Sequence, residues 1–198
     1  MVFFLTLRKK TRWIVALVFF SAITQIVGNK VPLSFSKYIL YNIHIVLELI
    51  FLTAFFWWRF TNKRFKYVFK STVVVCIALG IYSLLSYDIK LLFNKWLSIN
   101  NLVYTTWILL LVFTYYQKDL SYFKKEPSLP YFFLGIFLYN CATIFVFPAW
   151  KYIISRNNEL ESLIPVHAIF NTLLYLFLFV GLLVEIRYVL SVKKQSNE

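Results

Sequence analysis

The sequence predicts an all-α integral membrane bundle of six transmembrane helices, with both termini in the cytoplasm. Three observations predict it. Apolar residues make up 61% of the 198-residue chain, and charged residues only 15%. A soluble domain is nearer half apolar and a quarter charged. Six long apolar runs divide the chain, and the mean hydropathy is +0.71. The basic residues gather in alternate gaps between those runs. That is the pattern of membrane topology, and it accounts for the net charge of +13 without nucleic acid.

The spans fall at about 13–28, 38–58, 67–86, 101–116, 131–149 and 163–187. Crossing a bilayer takes roughly 20 apolar residues, so the short first and fourth runs are expected to extend into their flanks. The N-terminal segment is basic, with Arg8, Lys9, Lys10 and Arg12 before an apolar run. No small-residue cleavage pattern follows, so the first run reads as an uncleaved span. Lys and Arg in alternate segments number fifteen against six. The richer set holds the N-terminus, Arg59–Lys70, Lys118–Lys125 and the C-terminal Arg187, Lys193 and Lys194. The positive-inside rule places that set in the cytoplasm, and an odd number of spans would spoil the alternation. Trp57, Trp58, Tyr115 and Tyr116 mark inner interfaces, and Trp150 an outer one. The basic stretch Arg59–Lys70 is also a candidate surface for anionic lipid or an acidic partner.

Thr72, Cys76, Gly80 and Ser83 form a small-residue stripe on the third span. Such a stripe lets another helix approach closely, either within the chain or across a dimer. Cys76 and Cys141 sit in apolar runs of different spans and read as small buried residues.

The chemistry lies in polar residues within the runs. His44 and Glu48 are one turn apart and share a face with Tyr41. A carboxylate at the centre of a membrane helix costs about 2.5–3.5 kcal/mol on insertion scales, so this face must turn inward. The other histidine, His167, lies at similar depth on the sixth span, one turn above Asn171. The polar stripe continues through Tyr175 to Glu185 near the inner end. Asn140, with Tyr139 and Thr143, supplies the fifth span, Gln25 the first, and Tyr104 and Thr105 the fourth. The expected arrangement is a polar pocket opening outward, with Tyr41, His44, Glu48, Asn140, His167, Asn171 and Tyr175 as its residues.

Four readings fit that set. The groups tie the helices together by hydrogen bonds. They bind a small ligand or a partner segment. They hold a divalent metal or b-type haem, with His44, Glu48 and His167 as candidate ligands. Or Glu48 and His44 relay protons in a pathway or membrane enzyme. A serine nucleophile with a Gly-rich oxyanion loop, the H-E-x-x-H motif and the P-loop are all missing from the sequence. A small transporter is an alternative, although neither paired broken helices nor an inverted repeat is visible.

At Tyr41-Asn42-Ile43 with Glu48, at Pro130-Tyr131-Phe132 with Gly135 and Tyr139-Asn140, and at His167 with Asn171, the chain resembles a group of small polytopic membrane proteins of Bacteroidota. Its Lys-, Asn- and Phe-rich composition is similar as well. Members of that group often have seven spans, like the membrane sensor modules of some histidine kinases; this chain is read with six, its first ten residues being too short and basic for another. The resemblance implies a sensor-like bundle and points to Tyr41, Glu48, His167 and Asn171. The expectation is a non-enzymatic sensory or accessory subunit of the inner membrane, in contact with the bilayer and with a membrane protein partner or a second copy, and without a resident cofactor of its own.

Overall fold

The computed structural model describes residues 7–30, 35–86, 94–117, 121–154 and 160–195; the side chains of 28–30, 35–38, 94, 121–122, 146–154, 160–167 and 193 lie outside that description. The described residues form helices and connecting turns, without a strand. The helices are α1 (Lys9–Lys30), α2 (Phe35–Trp57), α3 (Lys63–Ser86), α4 (Asn94–Tyr116), the short α5 (Ser121–Lys125), α6 (Leu129–Ile154) and α7 (Leu160–Gln195). Each of the six long helices covers a predicted span. α1 and α4 extend beyond their apolar runs, as expected from the length a bilayer demands.

Among the described residues, five helices are long and apolar enough to cross a membrane: α1, α2, α3, α4 and α7. The described apolar part of α6 is Leu129–Phe145, within a helix of 26 residues. Runs such as Val73-Val74-Val75 are poor helix formers in water. Lipid changes the balance, because an apolar solvent leaves the backbone no partner but itself. Polar side chains obey the same constraint. The hydroxyls of Thr24, Thr72, Thr105, Thr106, Thr114, Thr143 and Thr172 each donate to the carbonyl one turn back.

Packing closes five helices into a ring: α1 on α2, α2 on α4, α4 on α6, α6 on α7, and α7 back on α1. α3 stands outside, packed on α4. The small stripe on α3 is what brings it there. The Trp96 indole donates to the Cys76 carbonyl at 2.9 Å, and the Trp107 indole to the Thr72 hydroxyl at 2.9 Å. A Cβ on Gly80 would stand 2.5 Å from the Trp96 ring. The stripe therefore serves packing within the chain.

The tightest seam joins α6 and α7. A Cβ on Gly135 would lie 2.8 Å from Cβ of Phe177, and one on Gly181 would lie 2.5 Å from the Phe132 ring. Large apolar side chains such as Phe19, Ile26, Val74, Leu85, Phe145 and Phe179 cover the outside. That surface suits lipid, consistent with a multi-pass membrane protein.

Candidate functional site

The interior of the ring is layered. The first layer is a charged cluster at one end. Arg8, just before α1, makes a two-pronged ion pair with Glu185 of α7, which is fully buried. Thr11 donates to the same carboxylate at 3.1 Å and Ser128 at 2.7 Å. A third Arg8 nitrogen donates to the Lys125 carbonyl at 2.8 Å, and its guanidinium lies 5.2 Å from the centre of the Tyr188 ring. Arg59, just past α2, is equally buried. It donates to Glu126 at 3.2 Å and to the Phe55 carbonyl, and lies 3.8 Å over the Phe55 ring. Lys10 reaches Glu126 at 3.4 Å.

The electrostatics of the two arginines differ. Burial would lower the Arg8 pKa, but the bonds and charge of Glu185 outweigh it and raise the value. For Arg59, burial prevails over the attraction of Glu126, and its pKa is lowered. The cluster joins α1, α2, the α5–α6 turn and α7, and so fixes the end of the bundle.

The second layer is aromatic. Phe55 meets Phe132 with ring centres 6.0 Å apart, and Phe56 meets Phe133 at 6.1 Å and Trp107 at 5.6 Å. Leu52, Leu111 and Leu178 fill the gaps and are almost fully buried. This layer separates the charged end from the ring's polar interior.

The third layer is that polar interior. Glu48 lies eleven residues before Arg59, Tyr104 eleven before Tyr115, and Tyr139 eleven after Ser128. Tyr175 lies ten before Glu185, and Ser21 ten after Thr11. At 1.5 Å per residue these five groups sit about 15 Å above the charged cluster, half the thickness of a bilayer's hydrocarbon core. The match is electrostatic as well as geometric. The charge of Glu48 bears on Tyr104, Tyr139 and Tyr175. Gln25 of α1 donates to the Tyr175 hydroxyl at 3.1 Å, with Ser21 as a second hydrogen-bonding neighbour. All five ring helices thus contribute to one layer. One turn further along lie Gln25, His44, Asn100, Asn101, Thr143 and Asn171. Asn101 donates across the α4–α6 seam to Thr143 at 2.7 Å.

Several interior groups are buried without a partner among the described residues: both amide atoms of Asn100, Oδ1 of Asn101 and of Asn140, the Tyr104 hydroxyl, and Nδ1 of His44. The Glu48 carboxylate is 9% exposed and has neither a hydrogen bond nor an ion pair among the described residues.

The candidate residues read from the sequence can now be placed. Glu48, Tyr41 and Tyr175 share one electrostatic neighbourhood through Tyr139. Asn140 is fully buried beside it and donates back to the Ile136 carbonyl at 2.7 Å. Asn171 is half-buried on α7. The His167 side chain lies outside the described residues, so its pairing with His44 is not described. Asn100 and Asn101 escaped the sequence reading, although two adjacent amides at the start of an apolar run are themselves a signal. The charged cluster was also missed: Arg8 and Arg59 were accounted for by topology, and Glu126 was not singled out.

No group of three or more His, Cys, Asp or Glu side chains placed to hold a metal occurs among the described residues. No protein-family model, curated protein or solved structure matches the chain.

Proposed function

We propose that this chain is a six-span protein of the inner membrane that serves as a non-enzymatic sensory or accessory subunit and receives a small polar ligand in its ring. α6 completes the spans, and the charged cluster marks the cytoplasmic side together with both termini. The observation that carries the reading is Glu48, a buried acid with no cation beside it, among amides and phenols from the other ring helices. A polar group buried unpaired costs about 1–3 kcal/mol. A set of them is an expensive way to hold helices together and a direct way to recognise a polar guest. The aromatic layer closes the interior toward the charged end, which leaves the opposite, outward end for entry. The sensory role also draws on the resemblance to the Bacteroidota group.

The test is thermal unfolding of the detergent-purified protein against a panel of small polar solutes. At least one solute should raise the transition temperature of the native protein, and Glu48→Gln should abolish that shift while remaining folded. A panel without effect, or an equal shift in the variant, overturns the reading.

A second reading places a divalent metal or haem on His44, helped for the metal by Glu48. It is favoured by the unpartnered Nδ1 of His44 one turn from that acid. Elemental analysis and an absorption spectrum decide it; absence of both stoichiometric metal and a Soret band removes it.

A further inference from the structure

At the charged end, outside the ring, α1 and the residue after α2 enclose a groove of about 620 Å³. Lys9, Lys10 and Arg12 lie along it, Trp13 and Trp58 form its sides, and Ala16 lies one turn further in. We infer that this groove binds the headgroup of an anionic phospholipid.

Three observations carry the inference. The first is charge. Lys9, Lys10 and Arg12 bring three positive charges to the groove, whose lining residues include no carboxylate; the acids of the neighbouring charged cluster are Glu126 and Glu185. Those carboxylates are already engaged by Arg8, Lys10 and Arg59. An excess of positive charge therefore faces the groove.

The second is placement. The cations are at the start of α1, and the apolar stretch of that helix begins immediately after them. Trp13 and Trp58 are 38% and 61% exposed, as indoles are at the level of lipid headgroups.

The third is shape. Above the groove the α1–α2 seam continues as aromatic rings. Trp13 lies 6.3 Å from Phe51, and Phe51 stacks on Phe20 at 5.4 Å. A cationic mouth below an apolar wall fits a molecule with an anionic head and a hydrocarbon tail. Free phosphate would use only the mouth. The basic stretch after α2 is less suited. Arg59 is buried against Glu126, and Lys66 and Lys70 stack near the Trp57 ring at 5.7 and 5.6 Å. The inference needs the chain to span a membrane but is independent of any ligand inside the ring.

The experiment is native mass spectrometry of the intact protein in mild detergent. Phosphatidylglycerol and phosphatidylcholine of the same acyl chains are titrated separately, and inorganic phosphate is added as a competitor. Phosphatidylglycerol should bind in preference to phosphatidylcholine. The double variant Lys9→Gln/Arg12→Gln should weaken phosphatidylglycerol by about thirtyfold, the effect of removing two basic residues near an anionic surface. Lys66→Gln/Lys70→Gln should leave it unchanged. Ala16→Leu, which fills the groove and keeps every charge, should also weaken it, and keeps the test decisive if the double variant fails to fold. Equal binding of the two lipids, an equal loss in the Lys66/Lys70 variant, retention in Ala16→Leu, or displacement by equimolar phosphate would each overturn the inference.

Discussion

Arg8 and Glu185 are 177 positions apart in the chain, yet they form the most fully bonded ion pair among the described residues. Glu185 is surrounded by donors from three places: Arg8 before α1, Thr11 within it, and Ser128 ahead of α6. A buried carboxylate is costly unless its oxygens are satisfied, and here they are.

Removing Arg8 leaves that acid buried with only two hydroxyls. Arg8→Ala should therefore destabilise the protein by about 3 kcal/mol, whereas the double variant Arg8→Met/Glu185→Leu should recover most of the loss. Denaturant unfolding in detergent, read as a double-variant cycle, measures the coupling. Additive losses would show that the pair contributes nothing beyond its separate side chains.

Gly135→Val should cost about 1–3 kcal/mol. Its Cβ would collide with Cβ of Phe177, an atom fixed to the α7 backbone, so the two helices must separate. The transition temperature should fall, while Leu134→Val, on the exposed side of the same helix, should leave it nearly unchanged.

Glu48→Gln should keep or raise thermal stability. The substitution removes an ionisable carboxyl that is buried without an ion-pair partner among the described residues and retains the shape of the side chain. Glu48→Lys, which leaves a charge of the other sign in the same place, should reduce the yield of folded protein. A large loss of stability in the glutamine variant would mean that the carboxylate's charge itself holds the helices together.

Thr143→Val should lower stability by about 0.6 kcal/mol, the average for a hydrogen bond between membrane helices. It removes the acceptor of the Asn101 amide across the α4–α6 seam. Asn101→Leu in the same background should add little further, and unfolding measurements on the set check this.

Membrane topology is open to thiol labelling in a background with Cys76 and Cys141 replaced. Asn62→Cys and Lys125→Cys should react with an impermeant reagent only once the cytoplasmic side is exposed, and Asp88→Cys should react from the outside. Labelling of all three from one side would remove the six-span topology.

The bundle was legible where its causes are local. Hydropathy marks where a helix must form, because lipid leaves the backbone no alternative, and the six runs became six long helices. The small residues of α3 announced a close approach, which Trp96 and Trp107 supply. The shared face of Tyr41 and Glu48 was readable because helical spacing alone creates it. The charged cluster was not, because pairings such as Arg8 with Glu185 or Arg59 with Glu126 join distant segments, and a basic residue flanking a span already has an explanation in topology. Tyr104, Tyr139 and Tyr175 were readable as polar groups of their spans; that the charge of Glu48 bears on all three needed the ring.

Closure of the ring between α1 and α7 has a consequence for biogenesis. The seam that completes the bundle joins α1 to α7, which leaves the ribosome after every other helix of the ring. Until α7 arrives, Arg8 and Thr11 wait without their acid, and the polar faces of the intervening helices have no finished interior to share. Insertion can proceed helix by helix, but the final fold is reached in one late step, and a nascent chain arrested before Glu185 should be a ready substrate for membrane proteases.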